Sequence, residues 1–209
     1  MKIYGFATYN VLKVLATAEE LGIDYEYIEL DPSKGDHKTP EHIARHPMGK
    51  VPVIEDGGKY VYESNTICRY LAAREKSPLY GGDAMAKAII DQQVDVFTQH
   101  VGHWYGVYFV EEVVKAKYFN EAPSQEDLNE AKEILASALP LLTGQLENQE
   151  FMLGADITNA DITAFSYLSV TEITSATIDE YPHLKRWYEM MKVRPAITKA
   201  LEVLYASSS

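Results

Sequence analysis

The sequence predicts two domains: an α/β domain of order β-α-β then β-β-α, followed by an all-α domain. Three observations carry this. Runs rich in β-branched and aromatic residues are confined to residues 2–62, where they alternate with helical periodicity. Pro78, Gly81 and Gly82 then interrupt the pattern. Beyond them, almost every stretch spaces its apolar residues as a helix does. The expected division is residues 1–78, a linker over 79–85, and a helical domain over 86–209.

Lys2–Phe6 is predicted as a strand, and Asn10–Leu21 as a helix carrying Val11, Val14, Leu15 and Ala18 on one face and stopped by Gly22. Tyr25–Leu30 is a second strand, expected to run parallel to the first because a helix joins them. A polar loop with Pro32 and Gly35 leads to a short helix opening at Pro40. Val51–Ile54 and Tyr60–Tyr62 flank Asp56-Gly57-Gly58 as an antiparallel hairpin, and Ser64–Glu75 is a helix with Ser64 as its N-cap. In the second domain a long helix spans Ala84–Lys117, with Gly102 or Gly106 as candidate bends. Helices follow over Ser124–Asn148, Thr158–Thr171, Tyr181–Lys192 and Ala196–Tyr205, and Ala206–Ser209 is expected to fray.

The chain of 209 residues is 46% hydrophobic and 24% charged, which suffices for an ordinary core, and its net charge of -12 disfavours a nucleic-acid partner. No apolar run is long enough to span a bilayer and the first residues do not form a signal peptide, so a cytoplasmic protein is expected. The one cysteine, Cys68, excludes an intrachain disulfide and is expected to be a buried small hydrophobe.

Two segments suggest a ligand site. Pro52 interrupts a strand-like run; a cis bond before it would turn the Val51 backbone outward to a ligand, whereas a trans proline at a strand start is the plainer reading. Glu63-Ser64 stands where a strand ends and a helix begins. Free N–H groups there suit a carboxylate, and Glu63 suits an ammonium group, so the pair complements the charged end of an amino acid. An ordinary cap is the alternative for Ser64.

Gly35-x-His37-Lys38-x-Pro40, Pro47-x-Gly49-Lys50-Val51-Pro52 and Glu63-Ser64-x-x-Ile67-x-x-Tyr70-Leu71, in this order, resemble the glutathione-binding half of the cytosolic glutathione transferases, above all the phi-like members. Tyr181-Pro182-His183-Leu184-x-x-Trp187 and Arg194-Pro195-Ala196 extend the resemblance to the far end. It implies a thioredoxin-like first domain, a homodimer, and glutathione as co-substrate for attack on a small hydrophobic electrophile, with no metal. Disulfide reduction or peroxide reduction with glutathione, or a non-catalytic binding module, are the alternatives. Residue by residue, it implies that Val51, with Pro52 cis, pairs with the cysteinyl unit and that Glu63 and Ser64 hold the γ-glutamyl end. Lys38 and His37 would face the glycyl carboxylate and Lys50 the peptide backbone. Met48 stands where related classes place an apolar key for the partner subunit.

The family places a thiolate-stabilising donor in the loop Phe6–Asn10. Anchoring on Asn10-Val11-x-Lys13-Val14 puts Thr8 there; anchoring on Gly5 puts Tyr9 there; and Thr8-x-Asn10 is similar to a nu-class loop. The order of preference is Thr8, Asn10, Tyr9, with an N-cap role as the alternative for Asn10. The second substrate is expected near His103, Trp104 and Tyr108, although aromatic residues at helical spacing also build cores. His100 and His103 lack a third ligand in view. Thr158-x-x-Asp161, flanked by Ile157 and Ile162, has capping-box and hydrophobic-staple spacing, a folding role.

Overall fold

A computed structural model of the chain describes residues 1–206; Ser207–Ser209, most of the tail expected to fray, lie outside the described residues. Two compact units form: Met1–Gly82 together with the chain from Val193, and Asp83–Lys192.

In the first unit, β1 (Lys2–Gly5), α1 (Tyr9–Glu20) and β2 (Glu26–Glu29) are followed by α2 (Pro40–Arg45), the hairpin β3 (Val53–Asp56) and β4 (Lys59–Tyr62), and α3 (Ser64–Arg74). The sheet order is β2-β1-β3-β4. β1 runs parallel to β2, as expected of strands joined through a helix, and antiparallel to β3. Ile3 pairs with Tyr27 on one side and Ile54 on the other, which puts β1 at the centre and accounts for its burial. Residues 51 and 52, read as the start of a strand, precede the ladder, which opens at Val53.

Helix α1 packs against α3 and also against α9 (Pro195–Tyr205). Val11, Val14, Leu15 and Ala18 are fully buried there. Each such Val or Leu stabilises the unit by about 1.5–3 kcal/mol relative to exposure. The sequence reading places α9 with the helical domain. It packs instead on α1, burying Ile197, Ala200 and Leu204. Arg194, next to its first residue, donates from Nε (2.7 Å) and Nη2 (2.5 Å) to the two carboxylate oxygens of Glu20, a bidentate fork.

In the second unit, α4 (Ala84–Phe97) and α5 (His103–Tyr108) are joined by π-helical turns over Thr98–Gly102, and further π-helical turns run over Phe109–Phe119. At Gly102, one of the two candidate bends, the missing side chain has a packing reason: a Cβ would lie 2.7 Å from the Tyr167 ring. Ser124 caps α6 (Gln125–Gln145), its Oγ accepting the Asp127 N–H. Helix α7 (Asn159–Leu168) is buried at every position and opens on the expected capping box. Asp161 exceeds that role. Its Oδ2 accepts the Thr158 N–H, while its Oδ1 accepts the Met152 N–H (2.8 Å) and Trp187 Nε1–H (3.1 Å). One carboxylate thus joins α7, the loop before it and α8 (Pro182–Lys192).

Candidate active site

Thr8 sits at the N-cap of α1, in extended backbone, and its Oγ1 accepts the Val11 N–H at 3.2 Å. Asn10, the residue considered above for that cap, is inside the helix and does not serve it. The chain leaves β1 extended and turns helical after Thr8, so Thr8 reaches the free N–H groups and Asn10, the second residue of the helix, is already too far in. The Thr8 hydroxyl spends a lone pair on the cap, and its proton remains a donor. Tyr9 opens the helix; burial raises its pKa, so it is a neutral phenol at physiological pH.

Asn10 instead faces α3. Its Oδ1 accepts from Ser64 Oγ–H at 3.1 Å and from the Lys13 ammonium at 3.3 Å. Lys13 also donates to Ser64 Oγ (3.1 Å) and Asn65 Oδ1 (2.8 Å). Ser64 is therefore not an N-cap, contrary to expectation. It is the first residue of α3, and Glu63 holds the cap position without a side-chain bond to the helix. The Ser64 hydroxyl is drawn away because a buried lysine needs acceptors. Lys13 is fully buried, and its pKa is lowered to about 8, by burial first, with Arg69 adding to the effect and Cys68 and Glu63 opposing it. Glu63 has φ 69° and ψ 109°. A non-glycine residue in that region is strained by about 1–3 kcal/mol, and such strain gathers at functional sites.

The Val51–Pro52 bond is cis. Val51 and Phe6 pack against the same cluster of Tyr4, Leu30 and Val53, and the His37 ring stands edge-on to Phe6 at 5.6 Å. The loops carrying Thr8, His37 and Val51 thus meet. Gly49 permits this approach: its φ is +58°, and a Cβ would lie 2.7 Å from the His37 carbonyl oxygen. Exposed Lys38 donates to the Gly49 carbonyl at 3.1 Å, and His42 Nε2–H donates to the Lys50 carbonyl at 2.8 Å. His37 is held below its usual pKa, by burial first and then by Lys38. Lys50 is exposed. Thr8, Asn10, Ser64, Val51, Pro52 and His37 are therefore brought to one end of the first unit, with two cations in the loops around them. The N-termini of α1 and α3, bridged by the Asn10–Ser64 bond, both belong to this arrangement, which suits an anionic ligand.

In the second unit, exposed His103 packs edge-on to Trp104 at 5.0 Å, while Tyr108 is buried. Tyr108 lines a cavity of about 630 Å³ with Leu128, Leu135, Leu139 and Tyr181; among the described residues, neither His103 nor Trp104 lines it. The three aromatic candidates therefore do not form one surface. Cys68 is buried, and burial pushes its thiol pKa up, as a packing role requires. No group of three or more His, Cys, Asp or Glu could hold a metal among the described residues. Nor is any described helix long and apolar enough to cross a membrane. Sequence reasoning passed over Lys13 and Asn65. The available signal was a charge inside the apolar run over residues 11–16, where a buried lysine demands nearby oxygens.

A four-stranded mixed sheet of this order, with a cis-proline before β3 and an all-helical unit following, is a thioredoxin-like domain coupled to a helical domain. Comparison with known proteins names the family. The sequence model described as "Glutathione S-transferase, N-terminal domain" matches residues 1–73, and the one described as "Glutathione S-transferase, C-terminal domain" matches residues 107–195. The chain belongs to the glutathione S-transferase family. It is 31% identical to the probable glutathione S-transferase GSTF2 of Oryza sativa, across 98% of this chain and 97% of that one. Among solved structures it is similar to glutathione transferase F2 from Populus trichocarpa, at 25% identity and a TM-score of 0.89 over 98% and 99% of the two chains. It is also similar to the theta class enzyme of Xanthomonas axonopodis pv. citri, solved with glutathione bound, at 30% identity and a TM-score of 0.82 over 95% of each chain.

Proposed function

We propose that this chain binds glutathione in its first unit and stabilises the thiolate for attack on a small hydrophobic electrophile. The observation that carries the reading is the Ser64–Asn10 hydrogen bond of 3.1 Å. It joins the start of α3, suited to the γ-glutamyl carboxylate, to the start of α1, where Thr8 offers a hydroxyl proton. The energetics are sufficient. A free thiol has a pKa of about 8.5, and lowering it by two units takes about 2.7 kcal/mol. One hydrogen bond to a charged group supplies about 1.5–3 kcal/mol, and the α1 N-terminus adds about 0.3–1 kcal/mol. Thr8 thus acts by donating, not as a base. Val51, beside cis-Pro52, pairs with the cysteinyl unit; Glu63 takes the ammonium; Lys38 and His37 face the glycyl carboxylate, and Lys50 the peptide backbone. Of the second-substrate candidates, Tyr108 is kept, since it lines the cavity of the second unit, whereas His103 and Trp104 lie outside that cavity.

Glutathione is co-substrate in this reading, and no metal takes part. The protein works as a cytoplasmic homodimer in detoxification, with Met48, 64% exposed, as an apolar contact to the second copy. The Thr8-x-Asn10 arrangement also supports a second reading, reduction of glutathione mixed disulfides, because Asn10 adds an amide donor beside the hydroxyl. Retention on glutathione resin tests the site, and failure to bind favours a non-catalytic module. Conjugation of a chloronitrobenzene against reduction of a mixed disulfide separates the two activities.

A further inference from the structure

We propose that Lys13 is a positioning residue of this site, its buried ammonium fixing the orientations of Asn10 and Ser64 toward the bound peptide; the proposal rests on the glutathione reading above. An ammonium can only donate. Facing Asn10 at 3.3 Å, it requires the amide oxygen inward, and Ser64 Oγ–H, 3.1 Å from that oxygen, requires the same. The Asn10 NH2 is therefore turned away from Lys13. Lys13 also occupies a lone pair of Ser64 Oγ at 3.1 Å, so the Ser64 proton must point elsewhere. It is donated to Asn10 Oδ1 in the structure, and a carboxylate at the α3 N-terminus is a stronger acceptor. The third oxygen, Asn65 Oδ1 at 2.8 Å, anchors the ammonium to α3 itself. One donor-only group thus links the thiol end of the site to the γ-glutamyl end.

The device depends on the charge. Deprotonation leaves two N–H donors and a lone pair facing three oxygens, so one of the three contacts loses its hydrogen bond and all lose the charge. Burial lowers the Lys13 pKa to about 8, so the orientation loosens as pH rises through that value. The ionisable groups that act on Lys13 are Glu63, before α3, and Cys68 and Arg69 on α3. From α9, Arg194 and Lys199 pair with Glu20 and Glu19 on α1.

The test compares the unsubstituted protein with Lys13→Met and Lys13→Arg. Calorimetry with S-methylglutathione, which has no thiol to titrate, gives affinity from pH 6.5 to 9.5, and ultraviolet titration gives the thiol pKa of bound glutathione. Lys13→Met should weaken affinity about tenfold and raise the bound thiol pKa by about one unit. Lys13→Arg should restore most of both and abolish the loss of affinity near pH 8, because a guanidinium stays charged. The proposal is overturned if folded Lys13→Met keeps both values. If Lys13→Met does not fold, Lys13→Arg decides: an unchanged affinity loss near pH 8 rejects the proposal. No binding of either ligand by the unsubstituted protein removes the glutathione reading itself, a distinct outcome.

Discussion

Thr8 Oγ1 accepts the Val11 N–H at 3.2 Å, so the residue that caps α1 is also the one whose hydroxyl proton the proposed thiolate contact would use. Cap and donor are two uses of one oxygen, and a substitution there separates them.

Thr8→Ala should raise the pKa of bound glutathione by one to two units, about 1.4–2.7 kcal/mol. It should also lower folding stability by about 1 kcal/mol, the usual effect of losing a hydroxyl cap. Turnover falls at neutral pH and recovers partly at higher pH, with little change in glutathione affinity. Thr8→Ser keeps both roles. Ultraviolet titration of the bound thiol together with urea unfolding reads the two effects separately.

Tyr9→Phe deletes only a hydroxyl whose ionisation burial already opposes. The bound thiol pKa should not move. If Tyr9→Phe alone raises it, Thr8 is the wrong donor.

Lys38→Ala should weaken glutathione binding about five- to tenfold, chiefly as a higher KM, because a carboxylate contact is made equally in ground and transition states. The figure is modest because Lys38 is exposed and screened. Calorimetry giving the unsubstituted affinity would take Lys38 out of the site.

Asp161→Ala strands the Met152 and Thr158 N–H groups and the Trp187 indole N–H, all without access to water. Each buried donor left unpaired costs about 1–3 kcal/mol, so stability should fall by about 3 kcal/mol or more. The folded fraction should keep its bound-thiol titration, since Asp161 lies in the other unit. A shifted titration with unchanged stability would contradict the folding role.

Lys13 also predicts a pH dependence of folding. Its pKa falls from 10.5 to about 8 on folding. Between those values the unfolded chain binds more protons at this site, so its contribution makes stability rise with pH. Below about pH 8 the buried charge opposes folding in full. Buried Cys68 and the tyrosines whose pKa values folding raises pull the other way over this range but do so equally in Lys13→Arg. Urea unfolding at pH 7.5 and 10 should therefore show a more favourable change with pH in the unsubstituted protein than in Lys13→Arg; equal changes in both would count against a depressed lysine.

What the sequence determined by itself was short in range. The Thr158–Asp161 capping box, the Ser124 cap, the Asp56-Gly57-Gly58 hairpin and the Glu63-Ser64 junction rest on groups a few residues apart, and local geometry brings those together in any context. The motifs around Lys38, Val51-Pro52 and Glu63-Ser64 were legible for the same reason, and they named the family. Tertiary structure decided the rest. Ser64 has the right residue type for a cap, yet its hydroxyl serves Lys13 across 51 positions of sequence. Which residue caps α1 followed from where β1 releases the chain. The return of α9 to α1 rests on the Arg194–Glu20 pair, 174 residues apart, and on apolar faces whose periodicity cannot say which partner they meet. Periodicity specifies that a face must be buried. Only the packed chain specifies against what, and a buried charge such as Lys13 then reorders the polar groups around it, because an unsolvated ammonium must find oxygens.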